Sequence, residues 1–139
     1  MKYMLLMLGS EADWDAMAGG TDDQGRAWSP EDVKALVEHM QRLNDELESR
    51  GELVDAQGLA APSRTRTVRV VDGVRQVSDG PYGESKEVLA GYWVVDVESE
   101  ERALEIAARA SAAPGPGGSV DEGIVEVRPI METAGGQEM

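Results

Sequence analysis

The sequence predicts a single α+β domain with a ferredoxin-like plan, an antiparallel sheet that carries two helices on one face. The main observation is the order of the elements, which runs strand, helix, strand, hairpin, loop, strand, helix, strand. This order reduces to βαββαβ plus an extra hairpin. A length of 139 residues suits one domain, and 41% hydrophobic with 29% charged residues is ordinary for a globular protein.

The first half of the chain predicts one buried strand and one long helix. Residues 3–8 form a continuous apolar run, which favours a strand covered on both faces. Residues 10–27 are acidic and aperiodic, and predict a loop with a short helical turn near residues 13–17. Ser29 and Pro30 then begin a helix with an apolar stripe from Val33 to Leu47, which Arg50 and Gly51 end.

The second half predicts strands around a tight hairpin, followed by one more helix. Asp72-Gly73 is a two-residue sequence that permits positive φ at both positions, so it joins two strands as a hairpin. Ser99 precedes two acidic residues and is a candidate helix cap. The predicted strands are residues 53–56, 68–71, 74–77, 90–97 and 124–128, and the second helix follows residue 99.

The domain is expected to span residues 1–131, with residues 18–28 as an acidic loop insertion and residues 132–139 as a flexible C-terminal tail. The formal net charge of −14 argues against binding to nucleic acid or to an anionic membrane. No apolar window reaches the length of a membrane-spanning helix. The run at residues 3–8 lacks the features of a signal peptide, so we expect a cytoplasmic protein.

The sequence gives no reason to expect a cofactor or a metal. Cysteine is absent, which removes thiolate ligands, disulfides and a thiol nucleophile. Asp13, Asp15, Asp22 and Asp23 supply carboxylates, yet the spacing of an EF-hand and a second histidine are missing. We therefore expect neither a bound metal nor a cofactor.

The strands at residues 3–8 and 92–97 are apolar on both faces. With both helices on one side, a single subunit would leave a large apolar sheet face uncovered, which soluble monomers avoid. The sequence therefore predicts a homodimer. Trp93 is expected in the core, whereas Trp14 and Trp28 flank the acidic loop and are expected to pack it over the sheet.

A motif in the second half of the chain resembles the YCII-related "DGPF" family. Residues 78–92 read S-D-G-P-Y-G-E-S-K-E-V-L-A-G-Y, similar to the family pattern T-D-G-P-F-A-E-T-K-E-x-L-G-G-F/Y. Both ends of the chain also resemble the ends of the family. Tyr82, Gly83, Ser85 and Ala90 depart from the usual residues.

The resemblance implies a ferredoxin-like fold of the dimeric α/β-barrel type. It does not imply a reaction, because the family is largely uncharacterised. Its genes often lie beside genes for alternative sigma factors, which suggests a regulatory or stress-linked role.

His39 is the one histidine of the chain and lies on the flank of the predicted first helix. The wider superfamily often carries a histidine there that works with an aspartate, so the resemblance makes His39 and Asp79 a candidate acid–base pair, with Asp55 as the alternative partner. The competing interpretation is a half-exposed histidine with no role.

The motif also supplies three candidate ligand-binding residues, Lys86, Glu84 and Tyr82. Lys86 would hold an anionic group and Glu84 would orient it. Alternatively, Asp79 and Pro81 form a rigid turn, Tyr82 fills the core or a dimer interface, and the charged pair is structural.

Two functions stay open at this point. The first is a small-molecule binder, with or without acid–base chemistry, whose pocket lies near the first helix and the loop after Asp79. The second is a non-catalytic dimeric regulatory module. The sequence does not decide whether the protein is an enzyme.

Overall fold

The computed structural model describes residues 1–21, 25–79, 87–118, 123–134 and 137–138. It is an α+β protein with a four-stranded antiparallel sheet and three helices. The helices are α1 (Glu11–Met17), α2 (Pro30–Ser49) and α3 (Glu100–Ser111). The strands are β1 (Lys2–Gly9), β2 (Leu53–Gly58), β3 (Arg66–Val71), β4 (Val74–Asp79), β5 (Val88–Asp96), β6 (Val125–Pro129), β7 (Thr133–Ala134) and β8 (Gln137–Glu138).

The main sheet has the strand order β2-β5-β1-β6, and every pair in it is antiparallel. In this order the two most apolar strands, β1 and β5, occupy the centre, where both of their edges are hydrogen-bonded. This arrangement is compatible with a ferredoxin-like fold, as the sequence predicted.

Local sequence explains where the helices begin and end. Ser29 accepts a hydrogen bond from the Asp32 amide while the Asp32 carboxylate accepts one from the Ser29 amide, which makes a capping box. Ser10 and Asp13 form the same motif at α1. Gly51, at a φ of 70°, follows the end of α2 in the left-handed conformation that glycine adopts without strain.

The core lies between the sheet and the helices α2 and α3. Residues that alternate along β1 and β5 face the helices, and in the register of these strands Leu5 lies opposite Trp93 and Tyr3 opposite Val95. Leu43 and Leu47 of α2 and Ile106 of α3 cover them and are fully buried. Each such side chain contributes about 1.5–3 kcal/mol through removal from water.

The small residues of α3 form a second part of this core. Ala103, Ala107 and Ala110 are buried together with Ile106. Their short side chains let the helix backbone approach the sheet, as the sequence suggested.

The β3–β4 hairpin is a separate two-stranded sheet and does not extend the main one. Its turn has Asp72 at φ 50° and Gly73 at φ 77°, the geometry that the Asp-Gly sequence predicted. Every residue of β4 is exposed, and Val68 and Val70 of β3 are 59% and 68% exposed. The hairpin therefore has little core of its own.

Two differences from the predicted elements concern lengths and ends. The helical turn expected near residue 13 is a full seven-residue helix, α1, so the described residues contain three α-helices where two were predicted. Within the stretch predicted to be a flexible tail, β7 and β8 pair with each other. Whether the tail is mobile stays a prediction.

Candidate functional site

Two adjoining cavities open beside the core, between the sheet and helices α1 and α2. Their volumes are about 390 Å³ and 170 Å³. We call them together the apolar pocket. The residues that line both cavities are Met7, Trp14, Met17, Leu36, Met40 and Ala90.

The pocket exists because the sheet carries small residues at the end where β1 finishes and β5 begins. Met7 pairs with Gly91 in the register of β1 and β5, and Gly9 and Ala90 lie just beyond. At the other end of the same face, Tyr3, Leu5 and Trp93 fill the corresponding space. A shift in pairing between Met7 and Leu8 marks the boundary between the two ends.

Helix α1 forms one wall of the pocket through Trp14. A side chain at Gly9 would come within 2.8 Å of the Trp14 ring, so the indole packs directly over the glycine backbone. Gly91 is equally constrained, because a Cβ there would lie 2.8 Å from the backbone oxygen of Gln57 on β2. Both glycines are therefore required for close approach at the rim of the pocket.

The larger cavity is bordered by one well-defined polar pair. The Trp93 indole nitrogen donates a hydrogen bond of 2.6 Å to the Asn44 side-chain oxygen. This bond links β5 to α2 and satisfies the polar atom of a tryptophan that is only 4% exposed. Asp13 and Arg26 are the charged residues that line the smaller cavity.

A network of charged groups ties α2 and α3 together at the filled end. Arg102 of α3 donates to both carboxylate oxygens of Glu52 at distances of 2.9–3.3 Å, and Arg50 lies 3.1 Å from the same carboxylate. The hydrogen bond from Arg102 holds the pKa of Glu52 below its usual value, and the same bond raises the pKa of Arg102. Arg109 makes a second ion pair with Glu46.

His39 lies in this interface between helices and does not line either cavity. Its Nε2 is 2.8 Å from the backbone oxygen of Arg109, one of the last four carbonyls of α3. Since a carbonyl oxygen only accepts a hydrogen bond, Nε2 is the donor. The His39 side chain, which belongs to α2, therefore caps the C-terminal end of α3.

The two candidate aspartates have other partners. Asp79, at the end of the hairpin, forms an ion pair of 2.6 Å with Arg66. Asp55 accepts a hydrogen bond of 3.0 Å from the Tyr92 hydroxyl, which raises the pKa of that phenol. Among the described residues, no hydrogen bond or ion pair joins His39 to either aspartate.

Lys86, Glu84 and Tyr82, the other candidates from the sequence, lie outside the described residues. Their proposed contacts with a ligand therefore stay predictions. Trp14 and Trp28 both line the smaller cavity, beside the loop that they were expected to pack down.

Sequence reasoning missed the residues that form the pocket. Leu36 and Met40 belong to the apolar stripe of α2 and were expected to contact other core side chains. The small residues Gly9, Ala90 and Gly91, which lie opposite that stripe, indicate the pocket. They can be recognised as neighbours only when the register of β1 and β5 is known.

The described residues contain neither a cluster of metal ligands nor a membrane-spanning helix. No group of three or more His, Cys, Asp or Glu side chains there is arranged to hold a metal ion. No helix in the described ranges is long and apolar enough to cross a membrane.

Comparison with known proteins places the chain in a family. The model of the YCII-related domain matches residues 1–134. An uncharacterized protein of Rhizobium meliloti (strain 1021) is 31% identical over 104 residues, which cover 75% of this chain and 80% of that protein. The match extends over nearly the whole chain, as the resemblance of the motif and both ends suggested. The chain therefore belongs to the YCII-related domain family.

Proposed function

We propose that the protein is a small-molecule-binding domain whose site is the apolar pocket. The observation that carries this proposal is the larger cavity of about 390 Å³ beside a fully packed core. Cavities that hold small ligands are about 300–1,000 Å³ and are lined mainly by apolar side chains. The cavity opens to solvent, so a small molecule can enter it, and covering its apolar lining would stabilise the complex.

The lining favours a compact, mostly apolar ligand with one polar end. Met7, Met17 and Met40 provide flexible thioethers that adapt to the shape of a bound molecule. Trp14 offers an indole for stacking against a planar group. Asp13 and Arg26, at the wall of the smaller cavity, would face the polar end of the ligand.

Acid–base chemistry has weaker support. His39 donates to the Arg109 carbonyl and lies outside the lining of the pocket, and Asp79 and Asp55 are bonded to other groups. The contacts of these residues favour structural roles. We therefore propose binding without a catalytic step by the pair of His39 and an aspartate.

We also propose that this binding domain forms a homodimer. A homodimer is compatible with the second function predicted from the sequence, a non-catalytic dimeric regulatory module. Its support is the face of the sheet opposite the helices, where the outward positions of β1 and β5 carry large apolar side chains that are only partly buried. We call this the outer face. It consists of Met4, Leu6, Leu8, Tyr92 and Val94. Pairing of two such faces would give the dimeric α/β-barrel arrangement.

The experiment that tests the binding site fills the pocket. The probe is 8-anilinonaphthalene-1-sulfonate, a molecule with two apolar aromatic ring systems and one anionic group. We expect the protein to bind it and Leu36→Trp, which places an indole inside both cavities, to weaken binding at least about tenfold, the equivalent of about 1.4 kcal/mol.

Val37→Trp is the matched control, because Val37 is the next residue of α2 and is 59% exposed outside the pocket. It adds the same side chain and should leave binding unchanged. Equal binding by the protein and both variants would place the probe elsewhere and refute the pocket as the site. His39→Ala should also retain binding, and a complete loss on that change would instead favour a site that includes His39.

A further inference from the structure

The β3–β4 hairpin presents one apolar face that nothing in its own sheet covers. Cross-strand pairs put Val68 beside Val77 and Val70 beside Arg75 on the same side of the hairpin. Val68 is 59% exposed, Val70 is 68% exposed and Val77 is 49% exposed. We call this side the valine face.

A two-stranded hairpin is at best marginally stable alone in water. Here the cross-strand bonds and the Arg66–Asp79 ion pair hold the two strands together, but that ion pair is solvent-exposed and contributes at most about 1 kcal/mol. Neither strand pairs with the main sheet, so a contact of the valine face would add stabilisation that the hairpin does not obtain from sheet pairing.

Charge identifies the kind of surface that the hairpin fits. The hairpin, residues 66–79, contains three arginines and two aspartates, a net charge of +1, which leaves −15 on the rest of the chain. Arg69 and Arg75 form no ion pair with any other described residue. A basic hairpin on a strongly acidic protein is complementary to a second copy of that protein.

The outer face of a second copy supplies both apolar and acidic groups. Tyr92 and Val94 are partly buried apolar residues of β5, and Asp55 of the edge strand β2 lies beside them in the register. Asp55 is partly buried and already accepts from Tyr92, so its carboxylate is held at the border of this apolar surface.

We infer that the β3–β4 hairpin is an intersubunit arm, whose valine face packs on the β2–β5 half of the outer face of a second copy, with Arg75 directed toward Asp55. This inference rests on the proposed homodimer. It adds the prediction that each subunit contributes a basic arm that covers Tyr92 and Val94 of its partner, while the two sheets pair through Met4, Leu6 and Leu8 of β1.

Site-specific cross-linking tests the arm, and the absence of cysteine makes the result unambiguous. Val70→Cys and Val94→Cys are made in separate chains with tags of different length and mixed under mild oxidation. We expect a disulfide between the two chains. The control pairs Val70→Cys with Val37→Cys, which is exposed on the helix side of the sheet and should not cross-link.

A charge reversal gives a second measurement that does not depend on oxidation. Arg75→Glu should raise the dimer dissociation constant at least about tenfold at low salt, whereas Arg64→Glu, which lies outside the hairpin strands, should change it less than about threefold. Analytical ultracentrifugation measures both.

The results of these experiments distinguish a failure of the proposed arm from a failure of the proposed dimer. A dimeric mass without the cross-link between residues 70 and 94, and with no effect of Arg75→Glu, would overturn the arm and leave the proposed dimer intact. A mass of one chain, 14.9 kDa, at all accessible concentrations would overturn both.

Discussion

At one end of the helix-facing side of the sheet, Tyr3, Leu5 and Val95 are buried under Leu43 and Leu47 of α2. At the other end, the same strands carry Gly9 and Gly91, and the same helix leaves a cavity above them. The secondary structure is continuous across both ends. The difference teaches that small side chains, together with the pairing shift between Met7 and Leu8, leave the apolar pocket where the same strands and helix would otherwise form core.

Truncation of a leucine at each end should give the largest contrast. Leu47 is fully buried, so Leu47→Ala should lower the free energy of unfolding by about 3–4 kcal/mol through lost burial and a new cavity. Leu36→Ala, on the same helix but at the pocket wall, should cost about 1 kcal/mol, because its neighbours already leave space. Urea denaturation measures both, and equal costs would contradict the division into a filled and a hollow end.

The charged groups at the filled end should give the next largest effect. Glu52 is 8% exposed and accepts from Arg102 through both oxygens, so Glu52→Gln should destabilise the protein by about 2–3 kcal/mol at pH 7. Glu105 contacts the same arginine but its side chain is 56% exposed, and Glu105→Gln should cost less than about 0.5 kcal/mol.

The cost of Glu52→Gln should also depend on pH. The pKa of Glu52 is lower in the folded protein than in the unfolded chain, so the stabilisation is fully present above the usual value of 4.5 and is lost as the pH falls below it. The difference in unfolding free energy between the protein and Glu52→Gln should therefore shrink from pH 7 to pH 3. A difference that stays constant over this range would exclude the carboxylate as its source.

A glycine substitution at the hollow end should give the smallest effect. The Cβ of Gly91→Ala would meet the Gln57 backbone oxygen at 2.8 Å, so β2 has to shift, at a cost of about 1–2 kcal/mol. Gly58 lies opposite Gly91 in the register, but a Cβ added there would meet no atom within 4 Å, so Gly58→Ala should be within about 0.5 kcal/mol of neutral. Thermal unfolding of the two variants is the measurement, and a neutral Gly91→Ala would show that β2 is free to move.

Local sequence rules predicted most of the fold. Ser29 and Gly51 bounded α2 correctly, Asp72-Gly73 located the hairpin turn, and the apolar runs identified the two central strands β1 and β5. These features depend on residues that are close in the chain. The separation of the hairpin from the main sheet was not predicted, because the hydrogen bonds that decide it join distant strands.

The candidate site was much less predictable. The hydrogen-bond partner of His39 is the backbone oxygen of Arg109, 70 residues away. Every residue has a backbone carbonyl, so the pattern of side chains does not indicate which one is the partner. The pocket depends on a pairing shift between Met7 and Leu8 and on the helix that faces it. Composition and periodicity contain neither piece of information, so only the assembled structure brings Leu36 and Gly91 to one cavity.

The sulfur-rich lining has a consequence for exposure to oxidants. Conversion of a methionine to its sulfoxide makes a flexible apolar side chain polar. Met17 is 40% exposed, whereas Met7 and Met40 are partly buried, so Met17 would be the first of the three to react. Peroxide damage would therefore begin at the wall formed by α1 and make the pocket progressively more polar. The filled end, whose fully buried side chains are leucine, isoleucine, valine and alanine, would react more slowly.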